Sequence, residues 1–359
     1  MPTESLSARL NRVTLLDNIP LSAQLELTYR CPLACIHCYL PRGRRASPKK
    51  ELLERDWKGV IKDLKGLGSL SLIFTGGEPL LRPELPGLCL YAGKLGFEIR
   101  IFTSGAGLTP ALIRALRPAN ISGFELSYYG RPAAHDAVTG TRGSCRMTLA
   151  AAKALKKAGF RVKLKTPVMR ATAGELKYVA RLAARNGFRR SFDPLLTLAS
   201  DGGEANLARR VPGRALAALL ADPLINPVEL NTCAAPAADS PVCGAGRNTV
   251  SINPYGDVFP CLQLGVKLGN ILRRPLPAIW KNSPWLKKWR EVTVSDLKSC
   301  RSCPDLDFCS RCPGVSLLET GDINKPYQTA CLMAAGARKA HAGARRQFPP
   351  SPLCDISFP

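Results

Sequence analysis

Through roughly its first two hundred residues the chain alternates short apolar or β-branched stretches with helical patterns, and this rhythm leaves few folds open. Strands are predicted at Gln24–Tyr29, Leu70–Thr75, Glu98–Thr103, Gly123–Tyr128, Arg161–Val168 and Arg189–Pro194. Helical patterns fall between them at Leu52–Leu64, Leu85–Lys94, Thr109–Leu116, Thr148–Ala158 and Ala173–Arg185. Gly96, Gly159 and Gly187 follow three of those patterns closely, where C-terminal caps belong. Strands that alternate with helices point to an α/β fold with a parallel sheet. Six units fall short of the eight that close a full barrel, so an open, partial (β/α)6 barrel is expected.

From Asp201 the rhythm stops. Residues 201–232 read as a bridging segment, 233–335 as a small cysteine-rich domain, and 336–359 as a Pro-rich tail. Residues 1–20 form an N-terminal segment without the basic, apolar, small-residue order of a signal peptide. No apolar run is long enough to cross a bilayer, so a cytoplasmic protein is expected. A reducing compartment argues against disulfides as the reason for 14 cysteines. The cysteines are clumped, three at 31–38 and seven between 243 and 331, as metal or cluster ligands would be. Such a domain is expected to be organised by metal rather than by a hydrophobic core. Cys89, Cys145 and Cys354 have no partner at ligand spacing, and the first two read as packing residues.

Cys31, Cys35 and Cys38 follow the first strand in a C-x3-C-x2-C spacing. Three thiolates can hold three irons of a [4Fe–4S] cube and leave the fourth open to a small molecule. The plainer alternative is a zinc site completed by His37. FTGGEPLL then follows the second strand, FTSG ends the third, and LSYYG with HDAVTGTRGS follows the fourth. Together these stretches resemble the radical S-adenosylmethionine (SAM) superfamily. The resemblance implies that Gly76, Gly77, Glu78 and Pro79 bind the methionine amine of SAM. Ser104 and Ser127 become candidates for its ribose or carboxylate, and His37 for a contact near the adenine. Many relatives carry an arginine where Thr139 stands here, so no carboxylate role passes to that position.

Cys243, Gly256 and Cys261, then Cys300, Cys303, Cys309, Cys312 and finally Cys331, resemble the SPASM extension of peptide-modifying radical SAM enzymes. The spacer in CSRC is one residue shorter than the family's usual pattern. The resemblance implies two auxiliary [4Fe–4S] clusters. Cys300, Cys303, Cys309 and Cys331 would hold one, and Cys243, Cys261 and Cys312 the other, with Cys233 as its fourth ligand. A pair of structural zinc sites is the alternative for this block.

The implied reaction is reductive SAM cleavage followed by hydrogen abstraction from a substrate, with a ribosomal peptide being crosslinked as the expected substrate class. Maturation of a small cofactor or tetrapyrrole is the alternative, as is a sulfatase-type maturase. The latter carries an acid directly after the equivalent of Cys261, where this chain has Leu262. A flavodoxin or ferredoxin as electron donor and a separate leader-recognition protein are the further partners implied. An iron–sulfur electron carrier or zinc module is the reading from another class; it needs neither the open site nor GGEP. Three cubes held by three, four and four thiolates would lower the net charge from +24 to roughly +19. That excess would attract an acidic peptide. No basic stripe interleaved with aromatics points to nucleic acid, and a merely basic surface is the plainer account. Anaerobically reconstituted protein is expected to hold about twelve irons and as many sulfides. Stoichiometric zinc without iron would overturn the whole cluster reading.

Overall fold

The computed structural model describes residues 5–40, 50–222, 224–225 and 237–344. Its centre is one nine-stranded sheet. The first six strands are β1 (Ser22–Thr28), β2 (Ser71–Gly76), β3 (Glu98–Thr103), β4 (Ile121–Ser127), β5 (Val162–Pro167) and β6 (Arg189–Asp193). Each pairs in parallel with the next, so they form the open (β/α)6 arrangement expected, with β6 at one edge. Helices α1 (Leu6–Leu16), α2 (Glu54–Gly66), α3 (Leu85–Lys94), α4 (Pro110–Leu116), α5 (Pro132–Thr139), α6 (Ser144–Lys157) and α7 (Leu176–Arg185) accompany these strands.

Strand alternation decides which face packs. Ala23, Leu25 and Leu27 of β1 are fully buried among helix residues such as Trp57, Ile61 and Leu64 of α2. Those helix positions recur at the spacing of one helical face, so burying that stripe holds α2 on the sheet. Cys89 lies fully buried on α3, within the same core. The opposite sheet face is polar. There Arg100, Lys163 and Lys165 converge on the buried carboxylate of Glu125, at 3.4, 2.9 and 3.5 Å. Burial alone would raise that carboxyl's pKa, but the three cations hold it below its ordinary value.

The C-terminal region departs from a domain organised only by metal. Strand β7 (Thr249–Ile252) pairs in parallel with β1, and β8 (Asp257–Phe259) and β9 (Gly269–Asn270) continue the sheet antiparallel. After the bridging helix α8 (Gly213–Leu220) come α9 (Leu276–Asn282), α10 (Pro284–Glu291), α11 (Pro313–Thr320) and α12 (Gln328–Ala344). Val250, Ile252, Trp280 and Trp289 belong to the same apolar core as β1 and α2. Helix α12 runs past residue 335, and the remainder of the expected tail, with Cys354, lies outside the described residues. Among the described residues no helix is long and apolar enough to cross a membrane.

Gly76 and Gly77 bring the end of β2 against the backbone that leaves β1. Gly76 has φ +118°, a region that disfavours side chains, and a Cβ there would lie 2.4 Å from the Thr28 carbonyl oxygen. A Cβ on Gly77 would lie 2.3 Å from that of Arg30. Gly77→Ala is therefore expected to cost about 1–3 kcal/mol, read as a lower melting temperature. Gly59→Ala on α2, where a Cβ meets nothing within 4 Å, is the control and should be neutral or mildly stabilising.

Candidate active site

The first cysteine loop is fixed at its start and in its middle by backbone hydrogen bonds. Gly77 and Glu78 donate to the carbonyls of Thr28 and Arg30 at 2.7 and 2.9 Å. Ala34 and Ile36 donate to those of Thr139 and Val138 at 2.8 and 2.9 Å. Cys31, Cys35 and Cys38 are thus held half-buried beside the ends of β1, β2 and β4. The Tyr129 phenol hydrogen-bonds Cys35 and Ser127. Burial, then the charge of Cys35, pushes that phenol well above its ordinary pKa, so it stays protonated as a donor. His37 stands edge-on to Tyr129 with ring centroids 5.0 Å apart. Burial pushes its pKa to about 4, with Arg209 adding to the effect, and its Nδ1 is buried without a hydrogen-bond partner.

Glu78 is completely buried. One carboxylate oxygen accepts from Thr103 Oγ1 at 2.5 Å and Leu80 N at 3.1 Å. The other accepts from the Ser104 amide at 2.8 Å and its hydroxyl at 2.5 Å. Burial raises its pKa while these donors pull it back. Glu78 and Ser104, read separately from the sequence, therefore form one brace between the ends of β2 and β3. Pro79 opens a single 3₁₀ turn, Pro79–Leu81, directly behind it.

The C-terminal cysteines fall into two groups. Cys261 lies in the electrostatic field of Cys243 and Cys312. Cys309 lies in that of Cys300, Cys331 and Cys303. Cys312 thus stands with Cys243 and Cys261. Burial pushes the thiols of Cys243, Cys261 and Cys312 upward, against backbone N–H groups that donate to each. Such donors favour a thiolate. The Arg311 guanidinium acts on Cys243 and Cys312 from one group and on Cys300 from the other. Cys233 lies outside the described residues. Among the described residues no three His, Cys, Asp or Glu side chains converge on a single-ion site. A cube binds each thiol to a different iron, so its ligands need not converge in that way.

A cavity of about 340 Å³ joins the two regions. Glu26, Tyr29 and Tyr39 line it from the side of the first loop, and Ser251, Cys261 and Leu262 from the other. Asp257, also on its wall, is tied to Lys267 and to Asn270 Nδ2 at 2.5 and 2.8 Å.

Residues 25–183 match the radical SAM superfamily, and residues 243–304 the SPASM iron–sulfur cluster-binding domain. The chain belongs to the radical SAM superfamily and is an enzyme. It is 30% identical to the PqqA peptide cyclase of Xanthomonas campestris over 347 residues, covering 91% of this chain and 89% of the relative. It is 28% identical to the AdoMet-dependent heme synthase of Methanosarcina barkeri, covering 90% and 99%. Its fold is shared with Streptococcus suis SuiB bound to the precursor peptide SuiA, with TM-score 0.69, 19% identity, and 90% and 79% of the two chains covered.

Sequence reasoning did not single out Glu26, Tyr29, Tyr39, Thr103, Tyr129 or the local role of His135. The two tyrosines flanking the cysteine loop were the available signal. His135 Nδ1 accepts from the Tyr129 amide at 3.2 Å, which requires a neutral ring. Burial pushes its pKa down to about 4, against the pull of Asp136. An unfolded histidine protonates near 6.5, so falling pH favours the unfolded chain between about 6.5 and 4. Denaturation midpoints are expected to drop across that window, and His135→Gln should flatten part of the slope. Identical slopes would remove His135 from that account.

Proposed function

We propose that this radical SAM enzyme modifies a ribosomally made peptide, forming a crosslink or thioether. The observation that carries this reading is the 30% identity to a peptide cyclase along nearly the whole of both chains. In this reading Cys31, Cys35 and Cys38 hold the catalytic [4Fe–4S] cluster. The turn Gly76–Pro79, Ser104, Ser127 and His37 surround SAM. When bound, cluster and SAM supply reductive cleavage to a 5′-deoxyadenosyl radical that takes a hydrogen atom from the substrate.

The chain's own residues set the conditions for that chemistry. The Tyr129 phenol donates a hydrogen bond to the Cys35 sulfur and is itself hydrogen-bonded to Ser127. Glu78, with both oxygens already satisfied, keeps the turn and the Ser104 loop in place. Recognition of the SAM ammonium then falls to other acceptors of the turn. Residues 21–200 form the radical SAM core, 201–232 the bridge and 233–335 the auxiliary domain. There Cys300, Cys303, Cys309 and Cys331 hold one auxiliary cluster. Cys243, Cys261 and Cys312, with Cys233, hold the other. The peptide would enter the cavity between the first loop and Cys261, whose walls on both sides would orient it. A cytoplasmic flavodoxin or ferredoxin would supply electrons, and a separate protein would recognise the peptide's leader.

A second reading, tetrapyrrole maturation, is favoured by the 28% identity to a heme synthase. The sulfatase-type reading is disfavoured because the cavity wall beside Cys261 is Leu262, which cannot act as a base. Anaerobic co-expression with short reading frames beside the gene, followed by mass spectrometry, tests the peptide reading. A peptide losing hydrogen mass together with 5′-deoxyadenosine release is the expected result; consumption of a tetrapyrrole instead would select the second reading. Cys35→Ala should abolish 5′-deoxyadenosine formation while retaining about eight irons.

A further inference from the structure

Both ends of the catalytic cysteine loop are tied to one side chain. Glu26 projects from β1 on the face opposite Ala23, Leu25 and Leu27, and is 3% exposed. One of its oxygens accepts from the Tyr29 hydroxyl at 3.0 Å, and the other from the Tyr39 hydroxyl in a short hydrogen bond. Tyr29 precedes Cys31 by two residues, and Tyr39 directly follows Cys38. The backbone supports both tyrosines independently. The Tyr29 amide donates to Glu51 at 3.0 Å, and the Tyr39 carbonyl accepts from Ser200 N at 2.8 Å. The Tyr29 ring also meets Tyr255 edge-on, 5.5 Å away. Glu26, Tyr29 and Tyr39 all face the cavity that reaches Cys261.

A buried carboxylate is costly unless its oxygens are satisfied, and here each is satisfied by one end of the same loop. Each phenol supplies a donor to one oxygen of Glu26, so a single carboxylate ties both ends of the loop to β1. Backbone bonds hold the loop at its start, at its middle and at Tyr39, whose carbonyl is tied to Ser200, and the Glu26 contacts join both of its ends to β1.

We propose that Glu26 is a positioning residue of the catalytic loop. Its carboxylate sets the separation of the loop's two ends, and with it the arrangement of the Cys31, Cys35 and Cys38 sulfurs, from the wall of the substrate cavity. This inference rests on the reading that those three thiolates hold the catalytic cluster. Glu26 acts through Tyr29 and Tyr39. Glutamine keeps the size but offers one acceptor atom and one donor group, so it can accept from only one phenol O–H, and its contact with the other phenol must reverse direction.

The test uses full-length, anaerobically reconstituted wild type, Glu26→Gln, Glu26→Asp and the double variant Tyr29→Phe/Tyr39→Phe. Iron and sulfide content, the EPR spectrum and midpoint potential of the reduced catalytic cluster with and without SAM, and the 5′-deoxyadenosine rate are measured for each. Glu26→Gln is expected to keep its iron, to alter the SAM-dependent EPR signal, and to lose about tenfold in rate. The double phenylalanine variant should show the same altered signal, and adding Glu26→Gln to it should change nothing further. Glu26→Asp, which keeps both acceptors on a shorter arm, should lie between wild type and glutamine. A Glu26→Gln protein with the wild-type spectrum and rate overturns the proposal. So does a defect that the double variant does not share, since Glu26 would then act by another route. A wild type without a SAM-responsive cluster signal would instead sink the assignment of the loop itself.

Discussion

The approach of β2 to the segment leaving β1 is the constraint on which the active site rests. Gly77 and Glu78 donate to Thr28 and Arg30 only because no side chain intervenes at Gly76 or Gly77. That contact fixes where the cysteine loop begins. It also places Glu78 where it can reach Thr103 and Ser104, so the ends of three neighbouring strands are joined through one turn. The two glycines and the acid of the motif thus serve first as construction. Any contact they make with a ligand depends on a backbone already held in place by atoms of the protein itself.

Above that base the two sheet faces divide the work. One is an apolar layer whose residues alternate strictly along β1 and meet the helices at helical spacing. The other is polar and electrostatically uneven. Its β3–β5 half carries three cations around Glu125, and its β1–β7 half carries Glu26 among hydroxyl groups. The two carboxylates can remain on this face because each is paired within it, which removes most of the penalty for withdrawing them from water.

The six core strands were legible because each is a local pattern closed by a glycine or a turn, and their bounds moved by only a residue or two. Helix α5 was not read as a helix; Pro132–Thr139 is short, and its residues drew attention as a motif. Strands β7–β9 were missed as parts of the same sheet because Ser22 meets Thr249 across most of the chain, and no local periodicity encodes that pairing. In the candidate site, the grouping of the cysteines was legible because their spacing is a local property. Glu26 was not, since its value lies in two tyrosines that the loop brings back to it. The sequence also suggested Glu78 as a free acceptor. Only the structure shows that Thr103 and Ser104 at the end of the neighbouring strand supply three of its donors and Leu80 of its own turn the fourth.

The pairing of β7 with β1 has a consequence for modularity. In a chain of beads the auxiliary region could be lost or exchanged without harm to the core. Here it supplies the neighbour that β1 requires on its far side, together with Trp280 and Trp289 for the shared interior. A chain ending at the bridge would carry an uncovered strand edge, with free backbone donors and acceptors able to recruit another chain. Separating the C-terminal part from the core would therefore have to cut through the sheet rather than between domains.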